Sequence, residues 1–265
     1  VASHLSNAET SGIEFAEANT KGLVVGRTFS VSESTIYGIS LSVGTQELDI
    51  ANTQLESDHW GLSVMLSMRR ENLFFESQIG IAMLSYDDLS RAVKLGAKQV
   101  IAVGNTDGYS INVDVLTGFD IWQSDNWHIG PAVGVQLARA LVRGYRETGG
   151  EIANYAWSSQ RRERQIFRAG LVSKGDIKGD LSVFAELFAG KDFAGEEFSI
   201  GVNNTNSAFG EYQMPALVMA DQIEISLKLG ASMSLGNAGK LDINYTYSDR
   251  GDGTQYFGIG YSMAL

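Results

Sequence analysis

The chain alternates. Over its last nine residues Phe257, Ile259, Tyr261, Met263 and Leu265 are apolar, while Gly258, Gly260, Ser262 and Ala264 between them are small. The same two-residue period runs through Ile223, Ile225, Leu227, Leu229, Ala231, Met233 and Leu235, interleaved with Glu224, Ser226, Lys228, Gly230, Ser232 and Ser234. It returns in Leu241, Ile243, Tyr245 and Tyr247 against Asp242, Asn244, Thr246 and Ser248. Tyr109, Ile111, Val113, Val115, Thr117, Phe119 and Ile121 repeat it, as do Trp60, Leu62, Val64, Leu66 and Met68. An amphipathic helix needs apolar residues three and four apart, which these segments do not offer. Successive side chains of a strand point to opposite faces, so each segment predicts a strand with one greasy face and one small or polar face.

Extended along the chain, the pattern predicts about twelve strands, near 12–18, 22–31, 35–47, 56–69, 73–86, 108–122, 127–141, 163–174, 180–191, 221–235, 240–248 and 254–265. Most are longer than the usual soluble strand and reach the roughly 9–11 residues that cross a bilayer at a tilt. The connections alternate in length. Short turns fall at 32–34, 70–72, 123–126, 175–179 and 236–239, and longer loops at 48–55, 87–107, 142–162 and 192–220. The first and last loops of the second set, 19–21 and 249–253, are short exceptions. Up-and-down barrels place short turns on the periplasmic side and long loops outside, and an even strand number returns both termini to one side. The pattern therefore predicts an all-β fold: a 12-stranded antiparallel transmembrane β-barrel over residues 12–265, preceded by residues 1–11 as a linker or the remnant of a segment or helix in or below the pore.

Details follow from the same reading. Trp122 and Trp127 flank one short turn, and Tyr86, Tyr109 and Tyr247 lie near the ends of the outer loops, as interfacial aromatics do. Phe198, Ile200 and Val202 predict an extra hairpin within the 192–220 loop. Two stretches sit badly. Residues 12–18 carry Glu14 and Glu17 and also suit a helix, and Arg27 shares a face with Leu23, Val25 and Phe29. An arginine facing lipid at the midplane costs about 2–4 kcal/mol, so Arg27 either reaches an interface or marks the wrong face.

Composition narrows the function classes. With 30 glycines and 2 prolines the chain suits tight turns and unbroken ladders. It has no cysteine, which excludes disulfides, thiolate zinc sites and thiol catalysis. The net charge of −11 argues against nucleic-acid binding, which needs clustered Lys and Arg. No run of about 18 apolar residues forms a membrane helix, and no signal peptide is present, so a barrel reading implies that the targeting segment has been removed.

No catalytic, metal or cofactor site is expected. The histidines His4, His59 and His128 lack metal-ligand spacing to one another or to an acidic cluster. No Gly-x-Ser-x-Gly elbow and no Gly-rich phosphate loop appears. Asp87-Asp88 has no neighbouring histidine with which to act as an aspartic-type protease. What remains is the inward face. Its predicted pore-lining residues are Glu76, Asn112, Asp114, Asp120, Gln136, Arg168, Glu186, Glu224, Lys228 and Asp242, with Gln78, His128 and Asn244 on the same faces. Two readings stand side by side for this set: a hydrated channel that passes an unfolded polypeptide, or a salt-bridge network that fills a narrow barrel. About twelve strands leave an interior wider than the side-chain-filled eight-strand case, with room for one extended segment or helix.

From about residue 22 onward the order of elements resembles the translocator β-domain of monomeric (type V) autotransporters. Asn126-Trp127-His128-Ile129-Gly130-Pro131 resembles that family's strand with a proline after a Trp-containing turn, and Arg168-Ala169-Gly170-Leu171 its Arg-x-Gly-Leu strand. Leu181-Ser182-Val183-Phe184-Ala185-Glu186 resembles the strand that carries an inward glutamate, and the stretch from Asp221 to Leu265 its final three strands. Gly144-Tyr145-Arg146-Glu147-Thr148-Gly149 is similar to the esterase-bearing members. The resemblance implies a monomer in the bacterial outer membrane, in contact with lipid and lipopolysaccharide. It also implies that the chain anchors and exports an N-terminal passenger, with a pore helix, and is inserted by the barrel-assembly machinery. Phe257, Ile259, Tyr261, Met263 and Leu265 stand where the family carries its assembly signal, although the family usually ends on Phe or Trp. Only about ten residues precede the first expected strand, so most of the pore helix and the whole passenger are expected outside this chain. Some members cleave themselves in the pore between adjacent asparagines; Asn203-Asn204 lies in a loop and is not assigned that role. His4-Leu5-Ser6-Asn7 is similar to the His-x-Ser-Asn site of an outer-membrane phospholipase, but it precedes the barrel. The alternatives are a passive porin-like channel, an outer-membrane hydrolase and a soluble β-sandwich.

Overall fold

The computed structural model describes residues 2–5, 16–32, 34–50, 53–124, 126–178, 180–194, 199–205, 212–215, 223–236, 239–249 and 254–262. Its first eight strands are β1 (Ala2–Leu5), β2 (Ala16–Ser32), β3 (Thr35–Ile50), β4 (Thr53–Arg70), β5 (Leu73–Leu95), β6 (Lys98–Phe119), β7 (Trp122–Gln123) and β8 (Trp127–Val142). The remainder are β9 (Tyr145–Arg146), β10 (Tyr155–Trp157), β11 (Gln160–Lys178), β12 (Leu181–Asp192), β13 (Ser199–Asn204), β14 (Tyr212–Pro215), β15 (Ile223–Ser234), β16 (Lys240–Ser248) and β17 (Thr254–Ser262).

Twelve of these form one path of hydrogen-bonded neighbours, β1-β2-β3-β4-β5-β6-β8-β11-β12-β15-β16-β17, with β7 paired to β8 at its side. Neighbours along the path run antiparallel, as tight-turn connections require. The first strand lies beside the last, so the sheet curls back on itself as a barrel.

Residues directly opposed in an antiparallel ladder share a face, so the register carries the side-chain pattern around the wall. One outward row runs Val25, Leu41, Leu62, Ile81 and Ile111 across five strands. Ile79, Ile81, Leu171, Leu187, Ile225, Phe257 and Ile259 are about half exposed on that side. Among the described residues no large side chain is fully buried. The burial pattern is inverted relative to a soluble protein: the greasy band points out, where only hydrocarbon removes it from water.

Eleven of the expected strands are found, ten with shifted ends and 240–248 unchanged as β16; the first is not. Residues 16–18 belong to β2, which runs without a break through the expected 19–21 loop. The first strand of the path is β1, inside the stretch expected to be a linker, and residues 12–15 lie outside the described set. The expected 48–55 loop is mostly strand as well, because β3 runs to Ile50 and β4 starts at Thr53. The 87–107 loop is the largest correction. It is the continuation of β5 and β6 as a long hairpin, turned at Gly96, where a φ of +64° suits glycine. A bulge between Tyr86 and Leu89 re-phases the strand, so the period read below it is lost above it.

Beyond the membrane-crossing length this hairpin packs under a small outer lobe. A four-stranded sheet, β14-β13-β10-β9, forms within the two long connections, and the hairpin predicted in 192–220 is β13 with β14. Thr148 bridges Val103 and ties the lobe to β6. Val100, Ala102, Leu89, Ala153 and Val202 are buried there.

Arg27 does face outward, opposite Ile39. Its guanidinium lies 5.0 Å from the Phe29 ring centre, toward the short-turn end of β2, and Phe29 stacks on Tyr37 at 4.8 Å. The charge thus leans along an aromatic pair toward the interface, which is the snorkelling alternative.

Candidate functional site

The inward face decides what the wall can do. Even-numbered residues of β5 up to Tyr86 and of β6, β8, β11, β12, β15 and β16 share it, by registers such as Asp114 with Gln136, Val172 with Glu186, Glu186 with Lys228 and Gly230 with Asn244. All ten predicted residues of that set lie on this face or at its end.

Most of their charges are bonded to one another. Arg168 meets Asp114 at 2.6 Å, and its guanidinium sits 5.0 Å above the Phe188 ring. Lys228 approaches Glu186 at 3.7 Å and the Phe184 ring at 5.2 Å. Glu224 pairs with Arg164, which also reaches Asp192 at 3.6 Å, and accepts a 2.8 Å hydrogen bond from the Ser248 hydroxyl. The buried Ser232 hydroxyl donates to Asp242, and Lys240 lies 3.5 Å from the same carboxylate. Asp120 follows β6 and is buried; Arg69 meets it at 2.5 Å and His128 at 3.0 Å. Glu76 and Asn112 remain exposed on the inward face, and Gln136 is half-buried beside Asp114.

Aromatic rings fill the same side. Phe74, Leu116, Ala132 and Phe188 form a buried cluster, with Val172 against it. Phe184 lies flat over Gly230 on the next strand, where a Cβ would collide with the ring. These rings lie beneath cations: Arg69 over Phe74, Arg168 over Phe188 and Lys228 over Phe184. Phe184 and Phe188 share the parity of Glu186, which was the available sequence signal for them. Arg69 and Arg164 share the inward parity of His59 and Arg168, but both stand near strand ends, where parity alone does not fix the partner.

The histidines do not converge. His128 joins Asp120, while His59 lies inward on β4 opposite Gly44. His4 pairs with Asn19 in β1, and Ser6 and Asn7 lie outside the described residues. Of the C-terminal alternation, Phe257 and Ile259 are exposed outward and Tyr261 pairs with Leu241, while Met263 and Leu265 lie outside the described residues. Asn203 and Asn204 stand in β13 of the outer lobe.

A second polar cluster, not foreseen as such, holds that lobe. Glu147 is buried and accepts four hydrogen bonds: from Arg91 Nε at 3.1 Å and Nη2 at 2.6 Å, from the Tyr155 amide at 2.9 Å and from Trp157 Nε1 at 3.0 Å. Arg91 also donates to the Ala153 carbonyl at 2.8 Å and lies 4.5 Å from the Tyr155 ring. Tyr145 stacks on Trp157, and burial, reinforced by the Glu147 charge and opposed by Arg91, pushes its hydroxyl up to about 12.

Comparison with known proteins places this geometry. The family model described as the autotransporter β-domain matches residues 1–246. Esterase EstA of Pseudomonas aeruginosa is 22% identical over 243 residues, which cover 90% of this chain and 38% of the esterase. The chain thus spans well under half the length of that relative. The translocator domain of the autotransporter NalP from Neisseria meningitidis superimposes with a TM-score of 0.75 at 15% identity, covering 99% of this chain and 85% of that one. The β-domain of the Bordetella autotransporter BrkA gives 0.61 at 16% identity, covering 100% and 96%.

Proposed function

The chain belongs to the autotransporter β-domain family and lies in the bacterial outer membrane as a translocator barrel, and on that premise we propose how its two faces divide the work. The outward band anchors the protein in lipid, with lipopolysaccharide against its outer half. The inward face passes the N-terminal passenger as an unfolded chain. The observation that carries this reading is the state of the lumen charges: Arg168 with Asp114, Lys228 with Glu186 and Arg164 with Glu224 are bonded to one another. Charges already paired present hydrated, non-adhesive surface to a moving polypeptide, whereas a ligand site would hold partners open.

Insertion by the barrel-assembly machinery through the C-terminal alternation, and action as a monomer, belong to the same reading. So does the absence of catalysis in the barrel itself: any ester hydrolysis would belong to the passenger. The test is surface display. The full-length protein in living cells should present its passenger to added protease, and the isolated barrel should be inert toward short-chain esters. A passenger retained in the periplasm beneath a correctly assembled, conducting barrel would refute export and leave a simple channel. Ester turnover by the isolated barrel would refute its catalytic silence.

A further inference from the structure

The lumen is lopsided. From Gly22 to Ser30 on β2, and from Ile36 to Gln46 on β3, no inward position carries a charge. On β4 the only ionisable inward residue between Leu55 and Ser67 is His59, and on β17 the described inward positions include Gly258 and Gly260. The charge pairs and rings described above all stand on the other strands, β5 to β16, or at the β4 end.

Exposure divides the same way. Inward apolar residues of the charged sector are covered: Phe74 is 6% exposed, Leu116 5% and Phe188 3%. Those of the neutral sector are bare: Val24 is 54% exposed, Ile36 40% and Met65 39%, although they point into the lumen. The inward apolar side chains of the charged sector are covered by their neighbours, while those of the neutral sector stand open to the lumen.

We infer that the polypeptide joined upstream of this barrel runs off-centre, along the neutral wall of β17, β2, β3 and β4, and not past the ion pairs. This rests on the export reading above and specifies its path. Three observations favour that occupant. The related esterase has most of its length outside the matched region, so there is chain to be carried. The strand β1 lies between β2 and β17, so a polypeptide that continues upstream of β1 starts from this sector. Small neutral side chains with scattered apolar contacts admit a sequence of any charge, while threading the opposite sector would separate paired ions in a restricted space.

These 265 residues contain no cysteine, so a cysteine placed in the barrel is the only one there. Ser40 and Ala138 are linked through one register row, by way of Ser63, Gly80 and Asn112, but stand in opposite sectors. In the reconstituted barrel a bulky thiol reagent on Ser40→Cys or Ser42→Cys should cut single-channel conductance at least about two-fold, and on Ala138→Cys should change it little. In the full-length protein, with export stalled by a folded passenger and one cysteine placed in the lumen segment, disulfides should form with Ser40→Cys several-fold more than with Ala138→Cys. Equal conductance loss at both sites, or equal cross-linking, overturns the off-centre path and leaves export standing. Failure of the unmodified protein to export, with conductance intact, overturns export and this path together. Two neutral-wall positions guard against a single variant that does not assemble.

Discussion

Replacing Glu147 by alanine should release the outer lobe while leaving the membrane barrel intact. The Glu147 carboxylate is buried and accepts from Arg91 twice, from the Tyr155 amide and from Trp157 Nε1, so its removal strands two neutral donor groups and one guanidinium. Removing one partner of a buried ion pair costs about 3–5 kcal/mol, because the surviving charge stays desolvated without compensation. At about 1.4 kcal/mol per decade, that raises the opening equilibrium of the lobe by roughly two to four orders of magnitude. Hydrogen exchange read by mass spectrometry on peptides spanning 142–162 and 199–205 should accelerate accordingly. Peptides from β15 to β17 should not change, since the partners of Glu147 stand on β5 and β10. The double variant Arg91→Met with Glu147→Leu should recover much of the protection by removing both charges, but not all of it, because Trp157 Nε1 and the Tyr155 amide stay unpaired at about 1–3 kcal/mol each. Unchanged exchange in Glu147→Ala would refute the latch. Equal acceleration in the barrel strands would refute its independence from the wall.

Three other outcomes are expected. Leu41→Arg, on the outward row, should lower barrel stability in bilayers by about 2–4 kcal/mol, and Ser42→Arg, one residue on but facing the lumen, by far less; heat-modifiable gel mobility across urea reads the difference. Arg168→Ala leaves Asp114 unpaired and uncovers Phe188, and should cost about 1–3 kcal/mol, between the values for exposed and buried pairs, as a fall in the urea midpoint. Tyr145 is held neutral by burial with a value near 12 against an ordinary 10, so the folded lobe binds this proton more tightly than the unfolded one. Its contribution is complete below about pH 10 and is lost as the pH rises from there through about 12, and Tyr145→Phe should flatten that decline in lobe exchange.

The period of two was enough to read the wall. It assigned lipid and lumen faces from Trp60 to Ile259, because pleating leaves a strand only two directions for its side chains and a bilayer rewards keeping them separate. It also located eleven strand positions and the extra hairpin of the 192–220 loop. Where strands end in water the period ceases to be enforced, which is why 87–107 read as a loop although β5 and β6 continue through it. The bulge at Tyr86 and Leu89 shifts the phase there, and apolar residues fill both faces, Val100 and Ala102 buried and Ile101 and Val103 exposed.

Partnership was beyond the sequence. Arg91 and Glu147 are 56 residues apart, and Arg168 and Asp114 are 54 apart; nothing local pairs them, and only the register of intervening strands brings them within reach. The chain by itself determined which side of the sheet each residue takes, since that follows from backbone geometry one residue at a time. The register and order of the strands determined which inward residues meet, and so gathered the ions and rings on one side and placed the neutral glycine and serine wall on the other. That distribution depends on strand order around a cylinder, a property that no single strand possesses.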